Sequence, residues 1–213
     1  MKEEINPQYS KSEEKLNVLT HAFGLLLSII GLPFLVVKSF YYDGFWKPIS
    51  IIIYGASLLI LYAASTFYHA SKDPKLRRKL NIFDHAAIYV LIAGTYTPYT
   101  LITLEGTLGW FIFGFTWVFA LIGIVLKLFY TGRFDKVSTM MYVLMGWQII
   151  LVIKPLIDSF SLEGLKLLFA GGVFYTLGAV FYSIKKINYN HAIFHVFVVI
   201  GSSCHFFTVF YYM

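Results

Sequence analysis

Charge is what this sequence has least of. Asp, Glu, Lys and Arg make up 13% of its 213 residues, about half the share of a soluble domain. Cysteine is nearly absent: Cys204 stands alone. No intrachain disulfide can form, which excludes a stapled secreted scaffold. The opening stretch MKEEINPQYSKSEEKLN is polar and mixed in sign, unlike the basic start and apolar core of a secretory signal. There is no repeat of fixed period, no glycine-rich phosphate cradle and no serine nucleophile elbow. The formal net charge is +6, yet no motif accompanies it that points to nucleic acid. The basic run KDPKLRRK, residues 72–79, reads instead as a topology signal with some pull on anionic lipid headgroups.

What is present is apolar. Hydrophobic residues make up 58% of the chain and the mean hydropathy is +0.71. Seven stretches lack any Asp, Glu, Lys or Arg: Leu16–Val37, Pro48–Ser71, His85–Leu104, Gly106–Leu126, Val137–Ile153, Leu167–Ile184 and Ile187–Met213. A bilayer core of about 30 Å takes roughly 20 helical residues. The fifth and sixth are short, but flanking Lys136, Lys154 and Lys166 can reach the interface. Segments such as LLLSIIGLPFLVV are apolar on all faces, whereas barrel strands alternate. The expected fold is therefore all-α: an integral membrane bundle of seven transmembrane helices. Residues 1–15 form a tail and residues 16–213 the membrane domain. Pro98, in the GTYTP of the third span, is expected to kink that helix. Tyr41, Tyr42, Phe45, Trp46, Tyr211 and Tyr212 form an interfacial belt.

The basic residues give a direction. With seven spans, the N-terminal tail and the second, fourth and sixth loops share one side, and that side carries 13 of the 17 Lys and Arg. Lys and Arg stay cytoplasmic, so the N-terminus is expected inside and the C-terminus outside. Four spans then bring polar groups to the same cytoplasmic depth: His21 on the first, Ser65 and His69 on the second, Asp84 and His85 on the third, His191 and His195 on the seventh. His191 and His195, like Ser65 and His69, are four apart and share a helix face. Imidazole is a good zinc ligand, and a catalytic zinc typically keeps three protein ligands and a water. His69, His191 and His195 supply the three. Asp84 is either a fourth ligand or the base holding the water, and Ser65 is placed to hydrogen-bond a ligand, the water or a substrate carbonyl. Ionisable groups at membrane depth are functional by default. His21 and His205 read as polar bridges between helices; His85 either orients Asp84 or faces headgroups.

STFYH, FDHAAIYVLIAGTYTPYT, HAIFH and EEKLNVLTHAFG together resemble the hemolysin III family, the bacterial branch of the progestin and adipoQ receptors, from about Glu14 to the end. The resemblance implies a bacterial plasma-membrane protein of seven helices. It implies a zinc held by His69, His191 and His195, touched by Asp84 through water, with Ser65 alongside. Its wider superfamily includes alkaline ceramidases, which suggests a zinc-dependent hydrolase of lipid amides or esters drawn from the inner leaflet. Two other readings stand beside it: a lipid sensor with a structural zinc, and a pore-forming cytolysin. Some relatives are associated with membrane-lipid homeostasis. In each reading the partners are membrane lipids.

Overall fold

The computed structural model describes residues 9–41, 44–104, 106–131 and 134–213. The first eight residues, Tyr42, Glu105 and Arg133 lie outside these. All regular secondary structure among the described residues is helical, and seven helices are long and apolar enough to cross a membrane. They are α1 (Lys11–Ser39), α2 (Trp46–Ala70), α3 (Pro74–Pro98) with a π-helical extension Tyr99–Thr103, α4 (Gly106–Tyr130), a broken fifth span, α7 (Leu162–Ser183) and α8 (Asn190–Tyr212). The fifth span comprises α5 (Asp135–Trp147), a 3₁₀ segment Gln148–Val152 and α6 (Ile153–Ser159).

The buried faces show why these helices suit a bilayer. α1 buries Asn17, His21, Gly24, Ser28, Gly31 and Leu35, while Leu19, Phe23, Leu26, Ile30 and Phe34 point outward. α4 buries Gly109, Ile112, Thr116, Ala120, Gly123 and Lys127 and exposes Phe111, Phe115, Leu121 and Ile122. Both stripes recur every three or four residues, the helical period. Here the small and polar residues face the protein and the bulky apolar ones face out. Lipid solvates Leu and Phe, so association is driven by close packing and interhelical polar contacts. The belt residues behave accordingly: Tyr41, Phe45, Trp46 and Tyr211 are all exposed.

Two local features differ from the sequence expectation. α3 starts at Pro74, eleven positions before the uncharged stretch. Asp73 caps it by accepting a hydrogen bond from the Leu76 amide, and Pro74 fills the first turn, where its missing N–H costs nothing. Most of the basic run is thus helix. At the far end, α3 continues through Pro98 and then widens: the Leu104 amide donates to the Tyr99 carbonyl at 2.9 Å, a five-residue step. The disturbance expected of Pro98 takes the form of this π turn.

α1, α2, α3 and α8 share one apolar core containing Leu35, Tyr54, Leu58, Tyr62, Leu91 and Val198. The start of α1, the end of α2, the first turns of α3 and the start of α8 meet at one end of the bundle.

Candidate metal centre

Three histidines close on a point at that end. His69 near the C-terminus of α2 and His191 and His195 on the first turns of α8 are buried, and one nitrogen from each lies within 4.8 Å of the others. The Nε2 atoms of His69 and His191 are 3.1 Å apart.

The opposite ring edges show which nitrogens are free. His69 Nδ1 lies 2.7 Å from a Glu14 carboxylate oxygen. A carboxylate only accepts, so Nδ1 carries a proton, and in the neutral ring Nε2 keeps its lone pair. His195 Nδ1 lies 3.2 Å from the Asn17 carbonyl, another pure acceptor, and 3.3 Å from Thr20 Oγ1. Its Nε2 is likewise a lone pair. A proton or a cation must lie between the Nε2 atoms of His69 and His191. Two nitrogens at 2.0–2.1 Å from one tetrahedral zinc would stand about 3.3 Å apart. The third imidazole converging on the same point favours the cation.

Unpaired polar atoms crowd round this point. His191 Nδ1, both ring nitrogens of His21, Ser65 Oγ and Asn17 Oδ1 are buried with no hydrogen-bond partner. Buried polar groups are nearly always paired, so a cluster of orphans marks where other atoms belong. The donor set fits a metal ion with open coordination.

Asp84 is buried on α3 and lines the same cavity as His191 and His195. Its carboxylate is not part of the tight three-histidine group, which suits contact through a water better than direct ligation. Ser65 is buried one turn before His69 and neighbours Asp84. His85 is half-buried, its Nδ1 2.8 Å from the Asn81 carbonyl, and it too lines the cavity.

Several contacts were not legible in the sequence. Glu14 binds Arg77 through its other oxygen. Arg77 also donates to the carbonyls of Tyr68, His69 and Ser71 at 3.1–3.4 Å, covering the bare carbonyl end of α2. Arg77 is one of the charges that served only as a topology marker. His21, read as a bridge, stacks on His195 at 3.5 Å between ring centroids and 9° between planes. Tyr9, just before α1, stacks on His191 at 4.6 Å and 21°. Lys127, another topology charge, is only 2% exposed and lines the cavity. Nothing in its spacing distinguished it from a headgroup-facing lysine.

The cavity has a volume of about 150 Å³ and mostly apolar walls. It runs from His191 and His195 along α3, α5, α7 and α8 to His205.

The family model described as haemolysin-III related matches residues 9–206. The chain belongs to this family. It is 47% identical over 204 residues to the hemolysin-3 homolog of Bacillus subtilis (strain 168), covering 96% of each chain. It is 44% identical to hemolysin-3 of Bacillus cereus, over 94% of this chain and 92% of that one. Human monocyte to macrophage differentiation factor is 31% identical over 94% of this chain and 84% of its own. No solved structure matches significantly. This haemolysin-III protein is a multi-pass bacterial membrane protein, and all three histidines, Ser65 and Asp84 fall inside the matched residues.

Proposed function

We propose that this protein binds zinc through His69, His191 and His195 and hydrolyses an amide or ester bond of a membrane lipid. The observation that carries this reading is the three-histidine cluster, set at the end of an apolar cavity with a buried carboxylate beside it. Three imidazoles leave one position open, which is the pattern of a catalytic rather than a closed structural site. Bound zinc would supply a Lewis acid and a water acidified to near neutrality.

The chain's own residues do the rest. Asp84 orients the attacking water, accepts its proton, and passes that proton to the leaving amine or alcohol as the C–N or C–O bond breaks. Ser65 Oγ, buried beside Asp84, donates to the carbonyl oxygen as charge develops there. The apolar walls hold the acyl chain and keep bulk water out. With the N-terminus inside, the lipid enters from the inner leaflet.

The sensor reading shares the site. His69, Glu14 and Arg77 join α1, α2 and α3, so metal occupancy bears on how these helices pack. It predicts metal-dependent stability without turnover.

The deciding experiment measures metal content of purified wild type beside the His191→Ala/His195→Ala double variant, then screens lipid amides and esters for release of fatty acid. One zinc per chain, lost in the double variant, with metal-dependent turnover in wild type supports the hydrolase. Stoichiometric zinc without turnover leaves the sensor. No zinc in chelator-free preparations overturns both.

A further inference from the structure

The cavity has a second polar pole. His205 lies 14 positions after His191 on α8, about 21 Å along the helix axis. It is 5% exposed and lines the same cavity as His191, His195 and Asp84. The stretch between holds Leu91, Ile92, Phe194 and Val198. Half the hydrocarbon thickness of a bilayer is about 15 Å, so the distance accommodates a whole extended chain.

This pole is built. His205 Nδ1 lies 3.3 Å from the Tyr99 hydroxyl. Tyr99 is the first residue of the π segment after Pro98, and π turns inside helices recur at functional sites. Tyr175 on α7 stacks on the His205 ring at 5.5 Å and 17°. The Tyr175 hydroxyl is fixed 2.9 Å from Ser202 Oγ, which also pairs with Tyr62 at 2.8 Å. Gly171 makes room for the other edge of the imidazole: a methyl there would sit 2.6 Å from Nε2. With Nδ1 engaged, Nε2 makes no hydrogen bond among the described residues.

We infer that the His205–Tyr99–Tyr175 pole binds a hydroxyl or carbonyl group carried near the far end of a lipid chain whose head lies at the three-histidine centre. The class of ligand is therefore a distally oxygenated long-chain lipid, not a plain acyl chain. This rests on the lipid reading above and narrows it. A helix clamp with a water at Nε2 predicts no such selectivity.

The test is displacement of a fluorescent fatty acid from the zinc-loaded wild-type protein in detergent, by hexadecanoate and by 16-hydroxyhexadecanoate. One good hydrogen bond corresponds to a preference of about tenfold for the hydroxylated acid. His205→Leu and Tyr99→Phe are expected to bring the two acids level without weakening hexadecanoate. Tyr99→Phe deletes a single oxygen, so it carries the variant test if His205→Leu fails to fold. Equal displacement in wild type overturns the inference and leaves the lipid reading standing. A preference undiminished in the variants overturns the assignment to this pole. No displacement by either acid removes the lipid site itself, and this inference with it.

Discussion

Glu14 and His69, 55 positions apart, meet with a carboxylate oxygen 2.7 Å from Nδ1. A carboxylate behind a ligating imidazole fixes the tautomer, holds the ring plane and makes the free nitrogen more basic. Arg77 holds the same carboxylate from the other side, so Glu14 is oriented before any ion arrives.

Glu14→Ala is expected to weaken zinc binding by roughly 10- to 100-fold, the usual effect of losing such a partner. Glu14→Gln keeps the amide oxygen as an acceptor for Nδ1 and should lose less. Competition against a chelator of known affinity measures both. Equal affinity in Glu14→Ala and wild type would mean the His69 ring is held by packing alone.

Asp84→Asn separates binding from chemistry. The carboxylate lies outside the tight histidine group, so stoichiometric zinc should remain. A general base contributes about 10²- to 10⁴-fold, and lipid turnover should fall by that factor. If Asp84→Asn loses its zinc instead, Asp84 is a ligand and the role given to it fails.

The seven spans were readable because lipid imposes one requirement, length without charge, and composition meets it plainly. The histidine centre was readable for a related reason. Topology brought His69, His191 and His195 to one depth, and spacing put the α8 pair on one face. What stayed hidden depends on side-chain direction, which depth cannot show. Glu14 and Asn17 read from the sequence as polar neighbours of His21; that they hold His69 and His195 instead, and that Arg77 joins them, is selected only by the packing of α1 against α2 and α8. Lys127 directly follows the uncharged stretch Gly106–Leu126 and so reads as one of the cytoplasmic-side charges; its inward direction follows from the buried stripe that begins at Gly109. Pro98 signalled a disturbed helix, but the π turn it leads into depends on the backbone beyond it.

Gly171→Ala tests whether the second pole is as tight as its geometry states. The added methyl would press on His205 Nε2 at 2.6 Å, with Tyr175 stacked on the ring. Overpacking of this kind costs about 1–3 kcal/mol. The variant should melt earlier in detergent while its zinc content stays at the wild-type value, because the metal centre is about 21 Å away along α8. An unchanged melting temperature would show that the imidazole can swing aside.

Tyr9 covers the centre from the side of the chain's N-terminus. Its ring stacks on His191 at 4.6 Å and lies 5.9 Å from His69, and burial pushes its phenol well above the usual range, so it stays a neutral, largely apolar cover. A ring in that position slows the approach of water and chelators without contributing a ligand to the three-nitrogen group. Tyr9→Ala should therefore speed zinc loss to excess chelator several-fold while equilibrium stoichiometry remains one. Tyr9→Phe keeps the ring and should behave as wild type. Stopped-flow detection of the released ion by a zinc-sensitive dye reads both rates. If Tyr9→Phe is as fast as Tyr9→Ala, the hydroxyl and not the stacked ring holds the cover in place. If neither differs from wild type, the ion leaves by another route, and the cavity lined by α3, α5 and α7 is the one to block next.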